Sequence, residues 1–132
     1  MTLIRIAAAI IRDDEGRFLL TRKHGSTFFI QPGGKIDAGE DAKTCLIREI
    51  EEELGIHIDA GQLHYAGRIS APAANEAGAT VEADLFHLKL RDDQIPVASS
   101  EIEELRWNPP GNTERPVARL SQSIQARFAN DY

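Results

Sequence analysis

One stretch constrains this chain more than any other: a run of glutamates that a helix would gather onto a single side. Residues 34–56 read Gly-Lys-Ile-Asp-Ala-Gly-Glu-Asp-Ala-Lys-Thr-Cys-Leu-Ile-Arg-Glu-Ile-Glu-Glu-Glu-Leu-Gly-Ile. From Asp41 to Leu54 the apolar residues recur at helical spacing, with Asp41 placed as N-cap and Gly55 placed to end the helix. At about 100° per residue, taking Glu49 as zero, Glu52 falls near −60° and Glu53 near +40°. Glu51 falls at about 200° and reads as a solvated surface residue. Arg48 lies four residues before Glu52 and can pair with it, while Leu46, Ile47, Ile50 and Leu54 form the face that fastens the helix to a sheet.

Three like charges on one arc repel, by a few tenths of a kcal/mol per pair, and the helix C-terminus makes the position worse. The cluster alone fits a solvated face as well as a metal site. If it holds a metal, oxygen ligands without His or thiolate select Mg²⁺ or Mn²⁺ over Zn²⁺. Pro32-Gly33-Gly34 just upstream favours the metal, because glycine lets backbone approach a ligand closely.

Composition matters here because it bears on where the acidity belongs. The 132 residues carry 15 basic and 21 acidic side chains, a net −6, with 42% hydrophobic and 27% charged residues. Such a chain is an ordinary soluble domain and neither a disordered, fibrous nor disulfide-built one. Diffuse acidity argues against long nucleic acid and anionic membranes as partners. Cys45, the sole cysteine, forms no internal disulfide and reads as a small core residue. The apolar run Ile6–Ile11 is too short for a membrane span or a signal-peptide core, so the expected location is the cytoplasm.

No composition shift or repeat divides the chain, so one domain over 1–132 is expected. Leu3–Ile11 reads as a strand buried on both faces, Asp13–Gly16 as a turn, and Arg17–Lys23 as a second strand. A short segment, Phe28–Ile30, runs into Pro32-Gly33-Gly34. Leu63–Ile69 and Val81–Leu90 read as strands, Ala71–Ala79 as a loop, and Leu105 and Trp107 mark a last strand. A final helix is expected from Pro116, with Val117, Leu120, Ile124 and Phe128 on one stripe. Two helices and a mixed sheet make an α/β layered domain. No heptad or isolated apolar face marks an oligomer interface.

The fixed positions Gly34, Glu40, Arg48, Glu49, Glu52, Glu53 and Gly55 together resemble the Nudix box. Seven residues at roughly 5–7% frequency each coincide by chance about once in 10⁹ starting positions, which makes the resemblance specific. The box occupies 23 of the 132 residues. Outside it, Ile6–Ile11, the acidic turn, Phe18–Arg22, Pro32–Ile36 and the C-terminal helix are similar to the small MutT-type nucleoside triphosphate pyrophosphohydrolases. Gln31 departs from that likeness, standing before the proline where a bulky apolar residue is common.

The resemblance implies an α/β/α sandwich, a mixed sheet flanked by helices, with the box as loop–helix–loop. It implies Mg²⁺-dependent hydrolysis of a nucleoside diphosphate linked to X, with Mn²⁺ as a substitute, and a (d)NTP, oxidised forms included, as the expected small-molecule substrate. Glu49, Glu52 and Glu53 would hold the cation together with the backbone of Gly33 or Gly34. Arg48 would orient those carboxylates, and Glu40 would support them. Glu101 would join as ligand or general base, in competition with Glu53 for the latter role. Lys35 and Arg22 are the residues expected on substrate phosphates, and Asn112 the candidate reader of a purine.

Two rival readings stand beside this one. The same chemistry could act on a nucleotide sugar such as ADP-ribose, a dinucleoside polyphosphate or a capped RNA end. A non-catalytic nucleotide-binding module is the alternative of another class, disfavoured because Glu52 and Glu53 are both present.

Overall fold

The computed structural model describes residues 2–73 and 76–130. In chain order its elements are β1 (Thr2–Ile10), β2 (Phe18–Lys23), β3 (Gly33–Lys35), α1 (Ala42–Leu54), β4 (Leu63–Pro72), β5 (Ala79–Leu88), β6 (Ile102–Asn108) and α2 (Arg119–Phe128). A single 3₁₀ turn at Ala60–Gln62 leads into β4.

Four strands form a mixed sheet in the order β3-β1-β5-β4, with β1 and β5 parallel and the other pairs antiparallel. Strand β6 joins β2 in a separate two-stranded antiparallel sheet, from Phe18 opposite Asn108 to Lys23 opposite Ile102. The sequence predicts one mixed sheet, and this second ribbon is the addition.

The period of two along β1 explains the layering. Ala7, Ala9 and Ile11 pack with Leu46, Ile50 and Leu54 of α1, whereas Ala8 and Ile10 pack with Ile124 and Phe128 of α2. Both-face burial holds only for the C-terminal half of β1. Leu3 is 55% exposed, because the helices cover the sheet from Ala7 onward and leave Ile4 and Ile6 on an open cleft.

Helix α1 has the ends its sequence predicts. Asp41 accepts a hydrogen bond from the Thr44 N–H at 2.8 Å, and the Gly55 N–H donates to the Glu51 carbonyl at 3.0 Å. The second helix starts later than expected. The Phe29 N–H donates to the Pro116 carbonyl and the Ala118 N–H to the Phe29 carbonyl, both at 2.9 Å, which holds 116–118 extended until Arg119.

Strand β4 also runs three residues past its expected end, to Pro72, so the expected 71–79 loop is shorter at its start; residues 74 and 75 of it lie outside the described residues. No helix among the described residues is long and apolar enough to cross a membrane.

The inner face of α1 therefore carries much of the sandwich. Ile50 is fully buried, and Ile50→Ala should lower the unfolding free energy by about 2–5 kcal/mol in urea denaturation. A loss under about 1 kcal/mol would mean that this face is not packed as described.

Candidate active site

The site is built where the short strand β3 meets the C-terminal half of α1. Gly33 opposes Ala8 and Gly34 opposes Ala7 across the β1–β3 pair. Gly33 has φ +149°, and a Cβ there would collide with the Ala7 carbonyl oxygen. At Gly34 a Cβ would overlap the Glu49 carboxylate. Gly33 thus lets β3 lie close against the β1 backbone, and Gly34 leaves the space that the Glu49 carboxylate fills.

Glu53 is 5% exposed, and its Oε1 accepts the Gly33 N–H at 3.0 Å. Burial pushes its carboxyl up to about 8, with Glu49 and Glu52 adding to the rise and the Gly33 N–H and Lys23 opposing it. Burial raises Glu49 too, against the pull of Arg48. Glu52 is more open, its side chain 52% exposed. Glu51 faces solvent, as its position on the helix predicts.

Arg48 is the organising cation. Its Nε and Nη2 donate to the two oxygens of Glu40 at 3.0 and 2.9 Å, and its Nη1 donates to Glu49 Oε1 at 2.8 Å. Its approach to Glu52 is longer, 3.7 Å, so the predicted i, i+4 pair is the minor one. The Arg48 hydrogen bond, reinforced by the Asp37 N–H, holds Glu40 down at about 2. Cys45 lies beneath, buried, its Sγ 3.5 Å from the Gly34 carbonyl and 3.4 Å from that of Lys35.

No three His, Cys, Asp or Glu side chains among the described residues are already gathered as a metal cage. The donor set nevertheless suits a divalent cation. Glu53 is buried beside two further carboxylates, with the Gly33 N–H for a partner and no ion pair among the described residues, and a hard cation is the compensation such a group lacks. Glu49, Glu52 and Glu53 could hold it, with the Gly34 carbonyl alongside.

On the other face of β3 lies a cleft of about 290 Å³. Gly33, Gly34 and Lys35 line it, so this strand is a wall shared by the cleft and the carboxylates. Lys35, expected on substrate phosphates, is thus a residue of the cleft wall. Arg22 is not on the cleft: Glu104 at 2.9 Å and the Ser26 carbonyl at 2.8 Å occupy its guanidinium. Lys23, one residue on, lines the cleft instead and stabilises the charged forms of Glu49 and Glu53. Its position at the end of β2 was visible in sequence, but strand direction alone does not say which of two neighbouring cations turns inward.

Asn112 is not among the cleft-lining residues. Its Oδ1 accepts from the Glu114 N–H at 3.0 Å and Arg106 at 3.3 Å, which ties it into the β6–α2 turn. Gln31 and Ser121, chosen by no sequence pattern, line the cleft in its place. Glu101 is exposed, on a loop held against α1 by the Ser99 N–H to the Glu53 carbonyl at 3.1 Å and the Val97 N–H to that of Leu54 at 2.9 Å.

A family model described as NUDIX domain matches residues 2–128. An 8-oxo-dGTP diphosphatase of Haemophilus influenzae is 47% identical over 58 residues, covering 41% of this chain and 43% of that protein. The chain thus spans less than half the length of the curated relatives it matches first. Among solved structures, a MutT NUDIX hydrolase from Burkholderia pseudomallei superposes with a TM-score of 0.78 at 23% identity, covering 96% of this chain and 98% of that one. A bifunctional NMN adenylyltransferase/ADP ribose pyrophosphatase from Francisella tularensis, complexed with AMP and a Mn ion, superposes with a TM-score of 0.70 at 14% identity, covering 97% and 41%.

The Glu40–Arg48 pair makes a test of the site's frame. Because the folded state lowers the Glu40 pKa, its stabilisation is present above the usual carboxylate range and is lost as pH falls from about 4.5 towards about 2. Thermal unfolding between pH 5 and 2 should therefore fall more steeply in the parent than in Glu40→Gln. Parallel curves would exclude the pair as a contributor.

Proposed function

The chain belongs to the Nudix family, and from that premise we propose that it hydrolyses the diphosphate bond of a nucleoside diphosphate-X compound with the aid of a divalent cation. The substrate is a (d)NTP, oxidised forms included, cut to the monophosphate and pyrophosphate. The cation is Mg²⁺, with Mn²⁺ as a substitute. One observation carries the reading: β3 is clasped by Glu53 and Glu49 on one side and lines an open cleft on the other. A phosphate chain running past these glycines meets the carboxylate face while its nucleoside sits in the cleft. The name of the Haemophilus relative supports the same assignment.

Glu49, Glu52 and Glu53 hold the cation, with the Gly34 carbonyl as a backbone donor. When bound, the cation neutralises phosphate oxygens and lowers the pKa of an attacking water. Arg48 keeps Glu49 aimed at the glycines, and Glu40 keeps Arg48 in place. Lys23 and Lys35, both on the cleft, offset the charge of the phosphates and fix the chain for in-line displacement at phosphorus. Water attacks phosphorus, the bridging P–O bond breaks, and the leaving phosphate departs with that oxygen. The water's proton goes to Glu101, on the loop packed against the end of α1, or to Glu53, the competing base.

Glu52→Gln and Glu53→Gln should each leave the fold intact by circular dichroism and lower cation-dependent turnover by about 10²-fold or more. Full activity in both would remove the metal assignment. A released-phosphate or phosphorus NMR screen over (d)NTPs, oxidised dGTP, nucleotide sugars and dinucleoside polyphosphates names the substrate. Turnover of none of these with Mg²⁺ or Mn²⁺ would favour a binding module.

A further inference from the structure

The cleft wall contains a polar side chain whose bonding is incomplete. Gln31 is 4% exposed and lines the cleft. Its Nε2 donates to the Ala9 carbonyl at 3.0 Å, and its backbone N–H donates to the Ser121 hydroxyl at 2.9 Å. The Ala9 bond settles which end of the carboxamide is which, since the flipped amide would set oxygen against oxygen. Gln31 Oε1 is then buried with no hydrogen-bond partner among the described residues. Buried acceptors are rarely left so, and one in the wall of a binding cleft calls for a donor from whatever binds there.

The surroundings say what kind of donor. Ile4, Ile6 and Val81 present apolar sheet surface to the cleft, and Ala118 and Leu120 close it from the α2 side. Apolar walls around a few convergent polar groups suit a flat heterocycle with a polar edge. Ser121 is buried beside Gln31; its oxygen accepts the Gln31 N–H, so its own proton is directed elsewhere. An acceptor and a donor carried by two bonded residues of one wall match the paired N–H and ring acceptor along one edge of a nucleobase. Oε1 is closed to solvent as it stands, and because the terminal torsion of a carboxamide is soft, a ligand that offers a donor turns it towards the cleft in exchange for the Ala9 bond.

We propose that Gln31 is the residue that determines base specificity, its Oε1 accepting a hydrogen bond from an N–H of the nucleobase seated in the cleft while Ser121 donates to the neighbouring ring acceptor. This rests on the nucleotide reading above and adds to it the edge by which the nucleotide is chosen. It also gives a role to the position where the sequence departs from the MutT-type pattern it otherwise resembles.

The test is steady-state kinetics of the parent chain and of Gln31→Met, a swap close in length that removes the acceptor. The substrates are triphosphates of the four common bases, the ring-N-methylated form of the best of them, and base-free ribose triphosphate. In the parent, N-methylation should lower kcat/KM by about tenfold or more, chiefly through KM. In Gln31→Met the preferred base should lose a similar factor, methylation should matter much less, and the ratio of base-bearing to base-free turnover should drop about tenfold. A variant that keeps the parent's order and spread of bases overturns the proposal. If Gln31→Met does not fold, the parent's response to N-methylation decides alone, and indifference to it overturns the proposal. Absence of turnover on every triphosphate, base-free included, overturns the nucleotide reading itself, which separates the two failures.

Discussion

The hydrogen bond from the Gly33 N–H to the Glu53 carboxylate is the contact on which the rest of this molecule depends. It ties the edge strand β3 to the last turns of α1, and so joins the sheet to the helix beside the carboxylate cluster. Burying a carboxylate without a cationic partner is unfavourable, and it persists only where the surrounding structure holds it. Here the holding comes from two directions. The apolar stripe of α1 seats Leu46, Ile50 and Leu54 in the core, and the caps at Asp41 and Gly55 set the helix ends. Once the helix is placed, Glu53 and Glu49 have nowhere to point but at the glycines.

That arrangement explains why the acidity of the chain is two different things. Glu51 and other exposed carboxylates are solvated and screened. Glu40 is neutralised within the fold by Arg48, and Glu104 by Arg22 and Arg115. Glu53 is buried where its charge is disfavoured, and burial raises Glu49 as well despite its pairing with Arg48, which suits the two carboxylates to a divalent ion. The strand they clasp lines the cleft as well, within the same few residues.

Sequence periodicity made the helix and its glutamate arc readable, because a 3.6-residue repeat assigns faces without any knowledge of the partner. It misjudged elements whose limits come from distant pairing. The start of α2 is set by bonds from Phe29 to residues 116 and 118, and the separation of β6 from the main sheet by its pairing with β2. The exposed half of β1 differs from its apolar pattern for the same reason: an apolar run tells that something could cover it, and the covering helices stop at Ala7. Asn112 and Arg22 were drawn to a site by residue type, yet each is held by neighbours that sequence distance hides, Glu104 in one case and Arg106 in the other.

By itself, then, the sequence determined the loop–helix–loop with its glycines, its arginine and its three convergent glutamates, since local spacing and helix geometry suffice for that. Only the tertiary structure decided which cation lines the cleft, Lys23 rather than Arg22, and that Gln31 and Ser121 stand in its wall. The physical reason is that a cleft is made by elements far apart in the chain. Which side chains face it depends on the register of β1, β3 and α2 against one another, and no local pattern encodes that register.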